Sequence, residues 1–199
     1  MEKTEHEQIR RSKFEAFGES MDIWTIPIND TDSSRENIIK IILEFTKHPD
    51  IKIETNPHGK PYSKQLTKEG VFFNYSHSHK MILLIISENP YTGVDLEYIY
   101  QPLDIDSLAN TCLTDTEAET IKTFNNRINV ILTYWTRKEA ILKAKGIGHL
   151  VDMKTINIPI HSKPELTTYS NQEWLLKTLT PAYGYIASIA VKNKNLSKK

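Results

Sequence analysis

Hydrophobic positions along this chain keep either a two-residue or a 3.6-residue rhythm, and blocks of the two alternate. IWTIPI, from Ile23 to Ile28, reads as a first strand. After the break NDTDSS, Ser33 or Ser34 is placed to cap a helix through RENIIKIILEFTKH, whose Ile38, Ile39, Ile42, Leu43 and Phe45 form an apolar stripe. TNPHGKPYS follows, with proline and glycine fixing its turns. VFFNYS and MILLIIS then read as strands, and the second barely alternates, which predicts burial on both faces. GVDLEYI is a third strand after the turn ENPYTG, so the middle of the chain predicts an antiparallel meander. From Asp104 the period is helical through DIDSLANTC, then TDTEAETIKTF behind a Thr or Asp cap, then a long helix from about Arg127 to Lys145. KTINIPI, EWLLKTL and YGYIASIAVK return to strands. Residues 1 to 20 are charged and read as helical or frayed, and NKNLSKK reads as a solvated basic tail.

Each half is therefore strand, helix, strands. That pattern predicts an α+β fold of two lobes, 1–100 and 101–199, meeting near residues 98 to 104, with no residue-level repeat between them.

Composition narrows the function. Lys+Arg and Asp+Glu are 25 each, so no global field steers the chain onto nucleic acid or an anionic membrane, and any phosphate recognition is local. The single cysteine, Cys112, excludes an intramolecular disulfide and a cysteine-built zinc site, in keeping with a reducing cytoplasm. MEKTEHEQIRRSK is polar where a signal peptide needs an apolar core, and no apolar run approaches the roughly 20 residues of a membrane span. A soluble protein is expected.

Candidate chemistry centres on two places. Asp95 and Glu97 sit at i and i+2 of a strand, so both carboxylates face one side. One of them is protonated, or both are solvated, or a cation lies between them; oxygen-only ligands would select a hard ion such as Mg²⁺. WTRKEAILKAKGIG, from Trp135 to Gly148, places Ile131, Trp135, Glu139 and Lys143 four apart on a helix, where an apolar ridge becomes a charged one. Lys143 is either an i,i+4 partner of Glu139 or, with a metal there, a phosphate ligand. Lys138 falls between Tyr134 and Leu142, inside the apolar arc, a break in patterning of the kind found at functional sites. Gly146 and Gly148 terminate the helix, and Trp135 reads as core. GKP (Gly59 to Pro61) and SHS (Ser76 to Ser78) supply hydroxyl, imidazole and ammonium groups suited to phosphate.

The order GKPY (Gly59 to Tyr62), FNYSHSH (Phe73 to His79), GVDLE (Gly93 to Glu97) and WTRKEAILKAKGIG resembles the Sfp-type 4′-phosphopantetheinyl transferases over roughly residues 35 to 148. The resemblance implies a pseudo-twofold pair of α+β lobes, mainly antiparallel sheets with a long helix each, and coenzyme A in the cleft between them. It implies transfer of the phosphopantetheine arm to a serine of an acyl or peptidyl carrier protein by a monomer. By position, Asp95, Glu97 and Glu139 match ligands of Mg²⁺, which Mn²⁺ could replace. Glu139 matches the base toward the carrier serine and Lys143 the lysine near the reacting pyrophosphate; Lys60, Ser76 and His77 match positions that hold the coenzyme A phosphates, Lys138 is added to them as a candidate, and Arg35 resembles an arginine that helps bind the nucleotide. The alternative is a coenzyme A binding protein that has lost transfer; a weaker one is a metal-dependent phosphoester hydrolase. The chain departs from the pattern where only NDTDSS precedes the first long helix and where Cys112 takes a usually aromatic position. Arg10, Arg11 and Lys13 are candidates to serve the nucleotide end instead.

Overall fold

In the computed structural model, which describes residues 8–28, 34–48, 50–102, 104–148, 151–160 and 164–195, the backbone forms ten strands and five helices among the described residues. In order these are β1 (Arg10–Ala16), β2 (Glu19–Pro27), α1 (Ser34–Thr46), β3 (Glu54–Thr55), β4 (Pro61–Tyr62), α2 (Lys64–Lys68), β5 (Phe72–Ser78), β6 (Met81–Ser87) and β7 (Thr92–Tyr98). Then come α3 (Ile105–Cys112), α4 (Asp115–Ile121), α5 (Arg127–Lys145), β8 (Glu165–Tyr169), β9 (Gln172–Leu179) and β10 (Tyr185–Lys192). Antiparallel pairing builds two four-stranded sheets, β1-β2-β6-β5 and β7-β10-β9-β8, beside a small β3-β4 ladder. The class is α+β, as the hydrophobic rhythm implied. No helix among the described residues is long and apolar enough to cross a membrane.

The sheets stack face to face with helices outside. Met81, Leu83 and Ile85 of β6 meet Val94 and Leu96 of β7 and Ala187, Ile189 and Val191 of β10 in one cluster. The intervening Ile82, Leu84 and Ile86 turn outward to Ile38, Ile41 and Ile42 of α1. On the far side Ala190 packs with Ile141, Leu142 and Ala144 of α5. β6 and β10 are buried at every position because each is covered on both faces, which is why neither alternates in sequence. The buried stripe of α1 is Ile38, Ile41 and Ile42, and Ile39 and Leu43 lie to its side. Ser33 lies outside the described residues.

Three expectations are overturned. Residues 10–20, read as helical or frayed, form a strand and a turn that pair with the expected strand at Ile23 to Ile28 in a hairpin. RRSKFEA carries one large apolar residue and shows no period, but it pairs with β2 from Arg10↔Thr25 to Ala16↔Glu19. Phe17 and Gly18 make the turn with φ of 52° and 79°, the left-handed pair whose twist suits a two-residue hairpin loop. KTINIPI is not a strand: a 3₁₀ turn at Met153–Thr155 leads into an extended segment whose Ile158 N–H donates to Glu117 Oε1 at 3.0 Å. Burial of Ile156 and Ile158 gives it a strand-like period without a strand partner. The meander also breaks, because β7 leaves β6 to pair with β10 from Tyr185↔Tyr98 to Val191↔Thr92.

β5 and β7, the facing edges of the two sheets, run in the same direction and are joined by side chains instead of a backbone ladder. Asn74 Oδ1 accepts Val94 N–H at 3.0 Å, Ser76 Oγ donates to Asp95 Oδ1 at 2.9 Å, and Ser78 Oγ accepts Tyr98 N–H at 3.0 Å. Period-2 placement of the three polar residues puts them all on the β7 side.

Candidate functional site

The site is set by how closely α5 approaches β7. A Cβ on Gly93 would lie 2.2 Å from Ala140 O and 2.5 Å from Ala144 N, so only glycine lets helix and strand meet backbone to backbone. That approach brings Glu139 and Lys143 over the strand carrying Asp95 and Glu97. Lys143 Nζ lies 2.6 Å from Asp95 Oδ1 and donates to Ser76 Oγ at 2.9 Å. Its side chain remains 29% exposed, enough to reach a ligand. Glu97 accepts from Gln101 Nε2 at 2.7 Å, Trp135 Nε1 at 3.1 Å and Ser78 Oγ at 3.2 Å. Burial, then the nearby Asp95, raise the Glu97 carboxyl above its ordinary pKa, against the pull of those hydrogen bonds.

A cavity of about 330 Å³ opens beside this pair of elements, lined among others by Ser76, His77, Glu139 and Lys143. Its opposite wall is the loop around residues 56–61, docked on the C-terminus of α5. Asn56 Nδ2 donates to Gly146 O at 3.1 Å, and Lys60 Nζ donates to Ala144 O at 2.7 Å and Pro90 O at 3.0 Å. Two carbonyls at the end of the helix, those of Ala144 and Gly146, are thereby satisfied, and the ammonium lies at the negative end of the helix dipole. Gly146 ends α5 in the left-handed conformation with φ of 70°.

Five residues expected from the sequence, Lys60, Ser76, His77, Glu139 and Lys143, thus line one cavity, and Asp95 is hydrogen-bonded to two of them. Lys60 contributes to the wall, while its ammonium is spent on backbone carbonyls; burial pushes its pKa down to about 8. Lys138 is a correction. It points to the other side of α5, fully buried, and donates to Glu117 Oε2 and Cys112 O at 2.5 Å each and to Met153 O at 3.1 Å. The break in patterning marks a buried ion pair that fastens α5 to α4, not a ligand contact. Arg137 does the same toward the C-terminal strands, through Thr178 Oγ1, Pro159 O and Glu165. Arg35 lies in the first turn of α1, and its side chain is outside the described residues. Arg11 is engaged elsewhere, pairing with Asp22 and covering Trp24 and Phe45 toward the C-terminal end of α1. Cys112 is fully buried, so it belongs to the core of the second half and not to its surface.

Sequence reasoning missed Trp135 as a hydrogen-bond donor to Glu97, and Gln101 and Asn74 altogether. The signal for Asn74 was present in NYSHS, where polar residues recur every second position of a strand whose neighbour is apolar from Met81 to Ile86.

Among the described residues no three His, Cys, Asp or Glu side chains converge tightly enough to hold a metal ion as they stand, and Lys143 fills the space at Asp95 Oδ1. The donor set nonetheless fits a hard divalent ion in kind. Asp95 Oδ2 is buried without a hydrogen-bond partner, and carboxylate oxygens are the ligands such an ion takes.

Residues 91–190, about half of the chain, match the 4′-phosphopantetheinyl transferase superfamily. The chain belongs to this superfamily. It is 29% identical over 144 residues to the 4′-phosphopantetheinyl transferase HetI of Nostoc sp. (strain PCC 7120), covering 71% of this chain and 60% of HetI. It is 26% identical over 145 residues to the 4′-phosphopantetheinyl transferase AcpT of Escherichia coli (strain K12), covering 71% of this chain and 72% of AcpT. The superfamily match contains Asp95, Glu97, Glu139 and Lys143, while the cavity residues Lys60, Ser76 and His77 precede it.

Proposed function

We propose that this superfamily member transfers the 4′-phosphopantetheine arm of coenzyme A to a serine hydroxyl of an apo carrier protein, releasing adenosine 3′,5′-bisphosphate. The observation that carries the reading is that Ser76, His77, Glu139 and Lys143 share one cavity, with Asp95 bonded to two of them. The carrier serine Oγ attacks the phosphorus that bears pantetheine. The bond from that phosphorus to the bridging oxygen breaks, the bisphosphate leaves, and the serine proton passes to Glu139. Lys143 turns from Asp95 to a pyrophosphate oxygen, and Ser76 and His77 hold neighbouring oxygens. Phosphoryl transfer gains mainly from positioning and charge stabilisation, so one weak base is sufficient. Asp95, Glu97 and the Glu139 oxygen that does not take the proton would hold Mg²⁺ or Mn²⁺, which when bound supplies neutralisation of the pyrophosphate charge. All the groups used in this scheme come from one chain, so a monomer is sufficient for it.

A second reading, a coenzyme A binding protein without transfer, is favoured by one observation: Lys143 occupies the Asp95 corner and the three carboxylates are not gathered. Incubation with coenzyme A, Mg²⁺ and a panel of apo carrier proteins, read by mass spectrometry, separates the two. Transfer predicts a phosphopantetheine mass gain on at least one carrier. Tight coenzyme A binding with no gain on any carrier leaves the binding protein, and phosphopantetheine released without a carrier marks a hydrolase.

A further inference from the structure

Asn74 sits on β5 with only 2% of its surface exposed, and it lines the same cavity as Ser76, His77, Glu139 and Lys143. A buried amide carries two donors on nitrogen and an acceptor oxygen, and leaving either end unmatched is costly. Here the orientation of the amide is dictated by its neighbour. Val94 presents a backbone N–H to it at 3.0 Å, and only the side-chain oxygen can accept that bond, so the NH₂ group faces the other way. Among the described residues nothing accepts from Asn74 Nδ2, since the side chain's one hydrogen bond is the one Oδ1 accepts from Val94. The nitrogen is also not one of the buried polar atoms sealed away without a partner. Its donors therefore open on the cavity. The Lys143 ammonium, part-exposed beside it and donating to Ser76 Oγ and Asp95 Oδ1, is a second donor at this wall, so the occupant that matches Asn74 and Lys143 presents acceptors.

We propose that Asn74 is a further ligand-binding residue, donating from Nδ2 to a phosphate oxygen of a pyrophosphate-bearing ligand while its Oδ1 holds β7 in place. The inference rests on the reading above that the cavity takes coenzyme A. One side chain then joins two tasks, spacing the halves of the site and binding the anion that lies between them. Asn74→Asp separates the tasks, because the acceptor for Val94 N–H stays and the donors become an oxygen that repels phosphate.

The test measures binding of coenzyme A and of inorganic pyrophosphate, each with Mg²⁺, to the wild-type chain, Asn74→Asp and Asn74→Leu by titration calorimetry. Thermal melts of the unliganded proteins establish folding. Loss of a hydrogen bond to a charged group predicts at least tenfold weaker binding of both ligands by every folded variant. In the wild-type chain the ¹⁵N–¹H₂ signals of the Asn74 side chain, assigned through the residue's own backbone and Cβ resonances, shift on saturation with pyrophosphate. That measurement decides the matter even where neither variant folds. Wild-type affinity in a folded variant, or unmoved Asn74 signals with ligand bound, overturns the proposal and leaves the transfer reading intact. Asn74-dependent binding of pyrophosphate without binding of coenzyme A keeps the residue's role and removes the transfer reading. Binding of neither ligand by the wild-type chain removes both.

Discussion

Replacing Gly93 by alanine tests the contact on which the geometry of the site depends. The new Cβ would lie 2.2 Å from Ala140 O and 2.5 Å from Ala144 N, where ordinary contact begins at 3.4 Å. Both obstacles are helix backbone, so no rotamer relieves them, and α5 has to retreat from β7 by about 1 Å. Overpacking of this kind costs roughly 1–3 kcal/mol, a fall of about 2–10 °C in Tm for a chain of this size. The greater effect falls on chemistry. Glu139 and Lys143 ride on the displaced helix while Asp95 and Glu97 stay on the strand, and an ångström of misplacement is worth about a hundredfold in rate. The assay is carrier modification by mass spectrometry at a temperature where circular dichroism shows the variant fully folded. A Gly93→Ala protein that melts and modifies carrier like the wild type refutes the claim that this approach sets the site.

Lys138→Met strands Glu117 in the core and should lower stability by about 3–5 kcal/mol in denaturant unfolding, less whatever the Thr114 and Ile158 N–H groups recover. Adding Glu117→Leu should restore much of it, and coenzyme A affinity of the folded protein should not change; a selective loss of that affinity would return Lys138 to the binding site. Lys60 has a folded pKa of about 8 against an ordinary value of 10.5, so the unfolded chain binds more protons between those values. Its contribution therefore makes stability rise with pH across that window, and urea midpoints at pH 7.5 and 9.5 should rise more in the wild type than in Lys60→Met. Trp135→Phe keeps an aromatic ring but loses the bond to Glu97 and part of the packing, which predicts about tenfold lower kcat/KM with stability lowered by about 1–2 kcal/mol. Glu97→Ala should lower turnover far more than it lowers the melting temperature, and equal activity with and without Mg²⁺ or Mn²⁺ would remove the ion from the scheme.

Local rules carried most of the layout. Two-residue spacing put Asp95 and Glu97 on one face and Val94 and Leu96 on the other, and α5 runs from Arg127 to Lys145 as its period required. What depended on distant partners was not legible. RRSKFEA is a strand because β2 and a left-handed turn make it one, and KTINIPI is not a strand because its N–H at Ile158 finds a carboxylate. Lys138 shows both sides of the problem: its misplaced charge was visible, but the identity of its partner, 21 residues away, decided that the charge is structural.

The seam between β5 and β7 has a consequence for how such a molecule varies. Two sheets that share a ladder must share a common twist and alignment, so widening the gap between them means shifting every bond along the line. Here the junction is carried by Asn74, Ser76 and Ser78, and lengthening or shortening one of them retunes the width of the cleft at that point alone. The distance between the β5 edge and the acidic β7 edge is thus adjustable in small, separate increments, with each half keeping its own internal order.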